Sequence, residues 1–405
     1  MVPVMEELLW TPNHTVKAHS ALGSPLGDSI SRSKSRFLPI FALLVQKSSP
    51  LKNIEVPFAA TDGTSGSPYF QGKCTDMTAA ITTFHPPLTQ PGYRLFDGPL
   101  RDVADVSADQ IGVVGMPSDW THSSRLGTRF GPEALRRATT LLQSIRPQGA
   151  SFDPDTSRRT VPATDWLIDC GDAEITAQDV DATTQAIAAM TEALTVAGAI
   201  PLALGGDHYN SFPACLGYSR GLAKRAPNAR FGYIQIDGHL DFSDRLGAWG
   251  SHNHATNARR VSELPNIDVS NMVWVGITGW VDGGDLALIE EQGGRVFSAG
   301  DVQKLGAAEV MRQAFAHAMQ GCDELYLSID IDAMDAGYLP GTGSIVHSGI
   351  TPRQYYDLLD GLAEAPLGGL DIVEVSPPLD PSERTEFLAA EMLFRVLRRF
   401  RTRPV

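Results

Sequence analysis

The strongest constraint on this chain is an arrangement repeated in its second half, a short apolar run that ends abruptly in carboxylates or histidines. Ala199 to Leu204 leads into Gly205-Gly206-Asp207-His208, Phe231 to Ile236 into Asp237-Gly238-His239-Leu240-Asp241, and Leu325 to Ile329 into Asp330-Ile331-Asp332. Apolar runs of this length, bounded by turn residues, read as strands buried in a parallel sheet. The ends of such strands lie side by side, and ligands bind outside their carboxyl ends. The three runs therefore bring His208, Asp237, His239, Asp241, Asp330 and Asp332 to one edge.

Alternate residues of an extended chain share a face, so Asp237, His239 and Asp241 project together, as do Asp330 and Asp332. Carboxylates crowded in this way repel one another unless they take up protons or bind cations. Oxygen and imidazole donors without a thiolate suit Mn2+, and are compatible with Ni2+, Co2+ or Zn2+. Taken singly, each run has a plainer reading. An Asp-X-Asp after a strand starts a loop or caps a helix, a lone histidine is hydrogen-bonded, and Gly-Gly is a turn. Their coincidence at one sheet edge favours a centre for two metal ions.

The order Gly-Gly-Asp-His, Asp-X-His-X-Asp, Ser-X-Asp-X-Asp-X-X-Asp and a late Glu374-Val375-Ser376-Pro377 resembles the ureohydrolase family of arginases, agmatinases and related guanidino-acid hydrolases. The resemblance runs from about Ile111 to the C-terminus. Gly115-Met116-Pro117, with Arg125, Gly127, Arg129, Gly131 and Pro132, is similar to the agmatinase branch. The resemblance implies two divalent ions per chain, Mn2+ first and Ni2+ second. His208, Asp237, Asp241 and Asp330 would hold one ion, and Asp237, His239, Asp330 and Asp332 the other, with Asp237 and Asp330 bridging. Two metals can make a shared water acidic enough to attack a guanidinium carbon. Asp241 would orient that nucleophile, Glu374 would pair with the substrate guanidinium, and His254 would give a proton to the departing amine. His252 competes with His254 for the last role. Arg129 and Arg136 read as packing or interface residues.

The departures from the family pattern gather in loops. Tyr209 follows His208 where a Ser is typical, which puts a bulky phenol beside the site. Gly238 stands for Ala, Asn257-Ala258 for Pro-Phe, Thr278 for Arg, Ala336 for Pro and Ser344-Ile345 for Thr-Pro. Phe242-Ser243-Asp244-Arg245 lacks the Asn-Thr pattern that arginases offer to an amino-acid head group, which disfavours arginine. Agmatine, 4-guanidinobutyrate, 3-guanidinopropionate and guanidine remain. Arg245 is open to two readings, a ligand for a substrate carboxylate or a surface partner of Asp244 or another acid. A metal-dependent deacetylase of the same general fold would leave the second Asp-X-Asp unexplained, and a non-catalytic subunit would be expected to have lost ligands.

Strand-like and helix-like segments alternate along the rest of the chain and predict a three-layer α/β/α domain with a mostly parallel central sheet. Strands are expected at Ile111 to Gly115 and Met272 to Ile277, besides those before the motifs and before Glu374. Helices are expected at Pro132 to Ile145, Ala177 to Ala197, Val302 to Met319, Pro352 to Ala363 and Glu383 to Arg401. Residues 1–76 lack such alternation and read as a mobile extension before a domain at 77–405, with Met77 as an alternative start. The formal charge of −14 argues against nucleic acid and anionic membranes as partners and agrees with a small cationic guanidino substrate. No apolar run reaches the ~20 residues of a membrane span. Four widely separated cysteines, Cys74, Cys170, Cys215 and Cys322, show no disulfide framework, so a reducing cytoplasm is expected. The resemblance also implies a homo-oligomer, a trimer or hexamer.

Overall fold

The computed structural model describes residues 92–145, 152–154, 157–160 and 166–404. The expected extension over 1–76 and the start at Met77 lie outside these residues. Eight strands form one sheet: β1 Ile111–Met116, β2 Leu167–Asp172, β3 Ile200–Gly205, β4 Phe231–Ile236, β5 Met272–Ile277, β6 Arg295–Ser298, β7 Glu324–Asp330 and β8 Leu367–Val373. Their spatial order is β2-β1-β3-β8-β7-β4-β5-β6. Every neighbouring pair is parallel, so the sheet is wholly rather than mostly parallel.

The inner strands are apolar without alternation because both faces of the sheet are covered. Ile111, Val113, Leu202, Leu204, Ile234, Ile236, Leu327 and Ile329 point to one face. There they meet Val310 and Met311 of α5 (Ala307–Ala318), Leu358 and Leu359 of α6 (Pro352–Leu362), and Met392 and Leu393 of α7 (Arg384–Val396). Val114, Met116 and Ala203 point the other way, onto Ile187 and Leu194 of α2 (Val180–Val196) and Ala214 of α3 (Ser211–Arg225). Tyr233, Trp274 and Tyr326 continue that second face in a further cluster with Tyr218 and Leu222. The alternation of strand side chains thus builds the three layers.

Two expectations change in detail. The stretch expected as one helix over Val302 to Met319 is two, α4 (Ala299–Leu305) and α5, because Gly306 adopts a left-handed φ of 87° between them. The terminal helix stops at Val396, and a short one follows at Arg398–Arg401. β2 and β6 escaped the sequence reading because they are edge strands, and Arg295 at the start of β6 is exposed.

Register brings the motif-bearing ends together. Met116 lies beside Gly205, Ile236 beside Ile329, and Val373 beside Asp330. One buried ion pair fixes the far side of this edge. Arg136 of α1 (Gly131–Ile145) is fully buried, with Nε 2.9 Å from Oδ2 of Asp169, inside β2, and Nη1 2.6 Å from Oδ1 of Asp172, at its end. It holds helix to sheet, the packing role expected for it. Arg129 pairs with Asp119 at 2.6 Å and lies over the Trp120 ring. Truncation of Arg136 would leave Asp169 as a buried, uncompensated charge. We expect Arg136→Ala to lower the unfolding free energy by about 3–5 kcal/mol in a denaturant titration.

Candidate metal centre

The site is assembled from loops that leave the carboxyl ends of β3, β4, β7 and β8. Nδ1 of His208 lies 3.1 Å from Oδ2 of Asp237, 2.9 Å from Oδ2 of Asp241 and 3.0 Å from Oδ2 of Asp330. No hydrogen bond uses that nitrogen, although it is buried among three carboxylate oxygens. Adjacent ligands of an octahedral ion with bonds of about 2.1 Å stand about 3 Å apart, so each oxygen stands from Nδ1 at the spacing of two inner ligands. Beside them, Nδ1 of His239 lies 3.1 Å from Oδ2 of Asp332 and 3.5 Å from Oδ1 of Asp237. The two groups share Asp237, which turns one oxygen to each. Asp330 joins the first group, while its Oδ1 accepts the Asp332 N–H at 2.8 Å.

The sequence explains how these side chains are aimed. Gly206 allows β3 to turn sharply against the β1 loop, where a Cβ would meet the Ser118 carbonyl oxygen at 1.8 Å. Asp241 and Glu374 are not glycines, yet both have left-handed backbones, with φ of 47° and 67°. The conformation of Glu374 is held by its N–H donating to Gly206 O at 2.9 Å, and that of Asp241 by its carbonyl accepting the Ala258 N–H at 3.1 Å. Strain of this kind persists where surrounding contacts over-determine it, commonly at functional sites.

Behind His208 runs a buried relay. Ser328 Oγ stands 3.1 Å from Nε2 of His208 and donates to Oδ1 of Asp371 at 2.8 Å, an oxygen that also accepts from Ser211. With its hydroxyl hydrogen committed to Asp371, Ser328 accepts from Nε2, which leaves Nδ1 as a lone pair facing the carboxylates. Electrostatics follow from this crowding. Burial opposes a charge on His208, but Asp237, Asp241 and Asp330 raise its pKa well above the ordinary value. The Asp332 carboxylate does the same for His239. Burial, then the charges of Asp332 and Asp237, push Asp330 up, and burial lifts Asp332 to about 6. Protons and cations compete for one set of atoms.

A second cluster adjoins the first. Glu374 is buried. Its Oε1 accepts the His208 N–H at 2.8 Å, and its Oε2 lies 3.2 Å from Nε2 of His122. The His122 ring stacks on His254, with centroids 4.3 Å apart and planes 9° from parallel, and Nε2 of His254 is 2.7 Å from Ser123 Oγ. Burial lowers the pKa of His254. Burial also opposes a charge on His122, but Glu374 outweighs it and draws the ring up to about 9. The Ser124 N–H donates to Nδ1 of His122 at 2.9 Å, so a proton on Nε2 keeps that bond and one on Nδ1 would break it. Of the two candidates near residue 253, His254 stands beside Glu374, whereas His252 lies by Tyr209 and Phe212.

One expectation about the surrounding loops is corrected. The Tyr209 phenol turns away to Thr184 of α2, at 2.9 Å, because that buried hydroxyl needs a partner. Asp244 pairs with Arg260 at 2.9 Å, and Arg245 beside it is exposed.

The sequence pattern of the arginase family matches residues 109–398. The chain belongs to the arginase family. Its relatives include a guanidinopropionase of Pseudomonas aeruginosa, 31% identical over 294 residues, which are 72% of this chain and 87% of that one. A mitochondrial guanidino acid hydrolase of Homo sapiens is 32% identical over 287 residues, 70% of this chain and 76% of that one. The solved structure of proclavaminate amidino hydrolase from Streptomyces clavuligerus is similar with a TM-score of 0.64 at 26% identity, covering 77% of this chain and 98% of that one. This arginase-family chain is thus a hydrolase acting on linear amidines.

Sequence reasoning missed His122, Ser123 and Asp371. The first two lie in Thr121-His122-Ser123-Ser124, a polar run just past β1 at the ligand-bearing edge. Asp371 interrupts the apolar run of β8. A charge inside a buried strand was the available signal.

Two outcomes are expected of this centre. Ser328→Ala should weaken divalent-cation binding about 10- to 100-fold in a calorimetric titration, because Nε2 of His208 loses its acceptor. His208 and His239 hold protons at higher pH than ordinary histidines in the cation-free protein, and binding must expel them. Cation affinity should therefore fall as pH falls, and the binding enthalpy should vary with the ionisation heat of the buffer.

Proposed function

We propose that this protein hydrolyses a guanidino compound to urea and the corresponding amine at a centre of two divalent cations, Mn2+ by preference and Ni2+ as the alternative. The observation that carries the reading is the pair of ligand groups sharing Asp237, with Glu374 and His254 beside them. The donor set suits such ions in type and spacing, with a buried imidazole nitrogen facing three carboxylate oxygens at 2.9–3.1 Å. His208, Asp237, Asp241 and Asp330 would hold one ion, and Asp237, His239 and Asp332 the other, with Asp330 as a second bridge. When bound, the two cations supply the charge that makes water acidic enough to serve as a nucleophile near neutral pH.

The remaining steps belong to side chains. Asp241, fixed by its backbone and by Asn257 Nδ2 donating to Oδ2 at 3.3 Å, presents an oxygen beside His208 that can accept a hydrogen bond from the attacking water and orient it. Glu374, anchored through Oε1, has Oε2 free of hydrogen bonds and takes an N–H of the guanidinium. His254, kept neutral by burial, can relay the two protons that the attacking water gives up, one after the other, to the leaving nitrogen, so the C–N bond breaks to release a protonated amine and urea. Ser123 holds the ring in place for that transfer.

For substrates, the reading keeps agmatine, 4-guanidinobutyrate, 3-guanidinopropionate and guanidine ahead of arginine. The relatives are named for guanidino acids, and Phe242-Ser243-Asp244-Arg245 lacks the arginase head-group pattern. Exposed Arg245 is the nearby cation that a substrate carboxylate could meet. A cytoplasmic homo-oligomer, a trimer or hexamer, completes the proposal. The decisive experiment is urea release from this panel after loading with Mn2+ or Ni2+. We expect turnover of at least one of the four above that of arginine, and equal turnover of arginine would defeat the substrate argument. Asp330→Asn should abolish urea release. Glu374→Gln should lower kcat/KM on the order of 100-fold, the loss typical of a charge-stabilising group at a reacting centre.

A further inference from the structure

Glu374 does not stand open to a substrate. Its side chain is almost fully buried, with Oε1 engaged by the His208 N–H and Oε2 faced by His122. The His122 side chain is itself fully buried, in a slot between Glu374, His254 and the Gly341-Thr342-Gly343 loop. The slot depends on Gly343, where a Cβ would lie 2.3 Å from Nε2 of His122. A planar, nitrogen-bearing ring therefore occupies the place beside Glu374 that a planar guanidinium head needs.

Charge draws this ring to Glu374, but the ring is poorly aimed. At 3.2 Å, Nε2 and Oε2 face each other outside hydrogen-bond geometry, and both are buried without a hydrogen-bond partner. A guanidinium, with its N–H groups arranged as a fork, meets a carboxylate better than this ring does. The His122–His254–Glu374 cluster has the composition of a third cation site. The Ser124 N–H argues against it, because a bond donated to Nδ1 places the ring's proton on Nε2, where a cation would have to bind.

The backbone around the ring is pinned. Thr121 donates twice to Asp207 Oδ2, at 3.1 Å from nitrogen and 2.7 Å from Oγ1. Ser124 Oγ donates to Gly343 O at 3.1 Å, and Arg125 to the carbonyl oxygens of Thr342 and Gly343 at 2.7 and 3.1 Å. Access to Oε2 thus requires the His122 side chain to swing aside while its loop stays in place.

On the reading that Glu374 receives the guanidinium, we propose that His122 is a specificity-determining residue. Its imidazole holds the substrate's seat on Oε2 of Glu374, and only a cation that binds that oxygen better displaces it. A planar guanidinium qualifies by its charge and its paired donors. An uncharged ureido or amide group of the same shape does not, and is kept out. Every substrate binds more weakly by the cost of moving the ring.

The test is the kinetics of urea release by metal-loaded protein carrying His122→Ala. KM for the best guanidino substrate should fall about tenfold, the worth of one displaced buried contact. A packing role would instead lower kcat and the melting temperature, with KM unchanged or raised, and that outcome would overturn the proposal. If His122→Ala does not fold, His122→Gln serves, since its smaller, flexible amide can still accept from the Ser124 N–H. KM should fall there as well, and a level or higher KM again overturns the idea. Wild-type protein that releases no urea from any guanidino compound would defeat the function itself, an outcome separate from failure of the His122 proposal alone.

Discussion

Four carboxylates brought within about 3 Å of two imidazole nitrogens, at the buried edge of a parallel sheet, are the constraint from which the rest of this molecule follows. Such a concentration of negative charge is costly in a medium of low dielectric unless cations or protons offset it. Asp237, Asp330 and Asp332 are buried, and the histidines among them are driven toward protonation. Divalent cations would relieve that pressure. The centre also needs a rigid frame, because relaxed carboxylates would move apart. The wholly parallel sheet, packed on both faces, supplies that frame, and the Asp371–Ser328–His208 relay extends it to the first ligand.

Much of this architecture is legible in the sequence because its causes are local. Unalternated apolar runs announce buried parallel strands, and the abrupt change to Asp and His at their ends marks the binding edge. Gly131 and Pro132 mark the start of α1. Other features are illegible for equally physical reasons. β2 and β6 sit at sheet edges, where burial on one side weakens the apolar signature. The break at Gly306 depends on a dihedral angle that an isolated glycine permits but does not demand. His122 enters the site only because a loop of unremarkable composition is tied to Asp207 and to the 342–343 carbonyls, contacts separated by 86 and about 220 positions in the chain. No local pattern carries that information.

The site divides into two regions with different tolerances. Around the candidate cation ligands, Ser328 meets His208, Gln235 and the His239 N–H meet Asp237, and the Asp332 N–H meets Asp330, so substitution there disturbs charge balance first and shape second. Around Glu374 the partners are poorer. The His122 ring faces it outside hydrogen-bond geometry, and His254, held by Ser123, is stacked on that ring. Of the departures from the family pattern, Ser344-Ile345 follows Gly343 at this second region, whereas Asn257 donates to Asp241 in the first.

The left-handed backbones of Asp241 and Glu374 bear on attempts to move this machinery elsewhere. Their carboxylates are aimed by main-chain torsion as well as by rotamer, and the torsion is held by Gly206 and Ala258 rather than by the acids themselves. Grafting the acidic and histidine side chains onto a foreign scaffold with ordinary loop geometry would reproduce the composition of the centre and misdirect two of its members. A transplant would have to carry the supporting peptide planes along with the residues they orient.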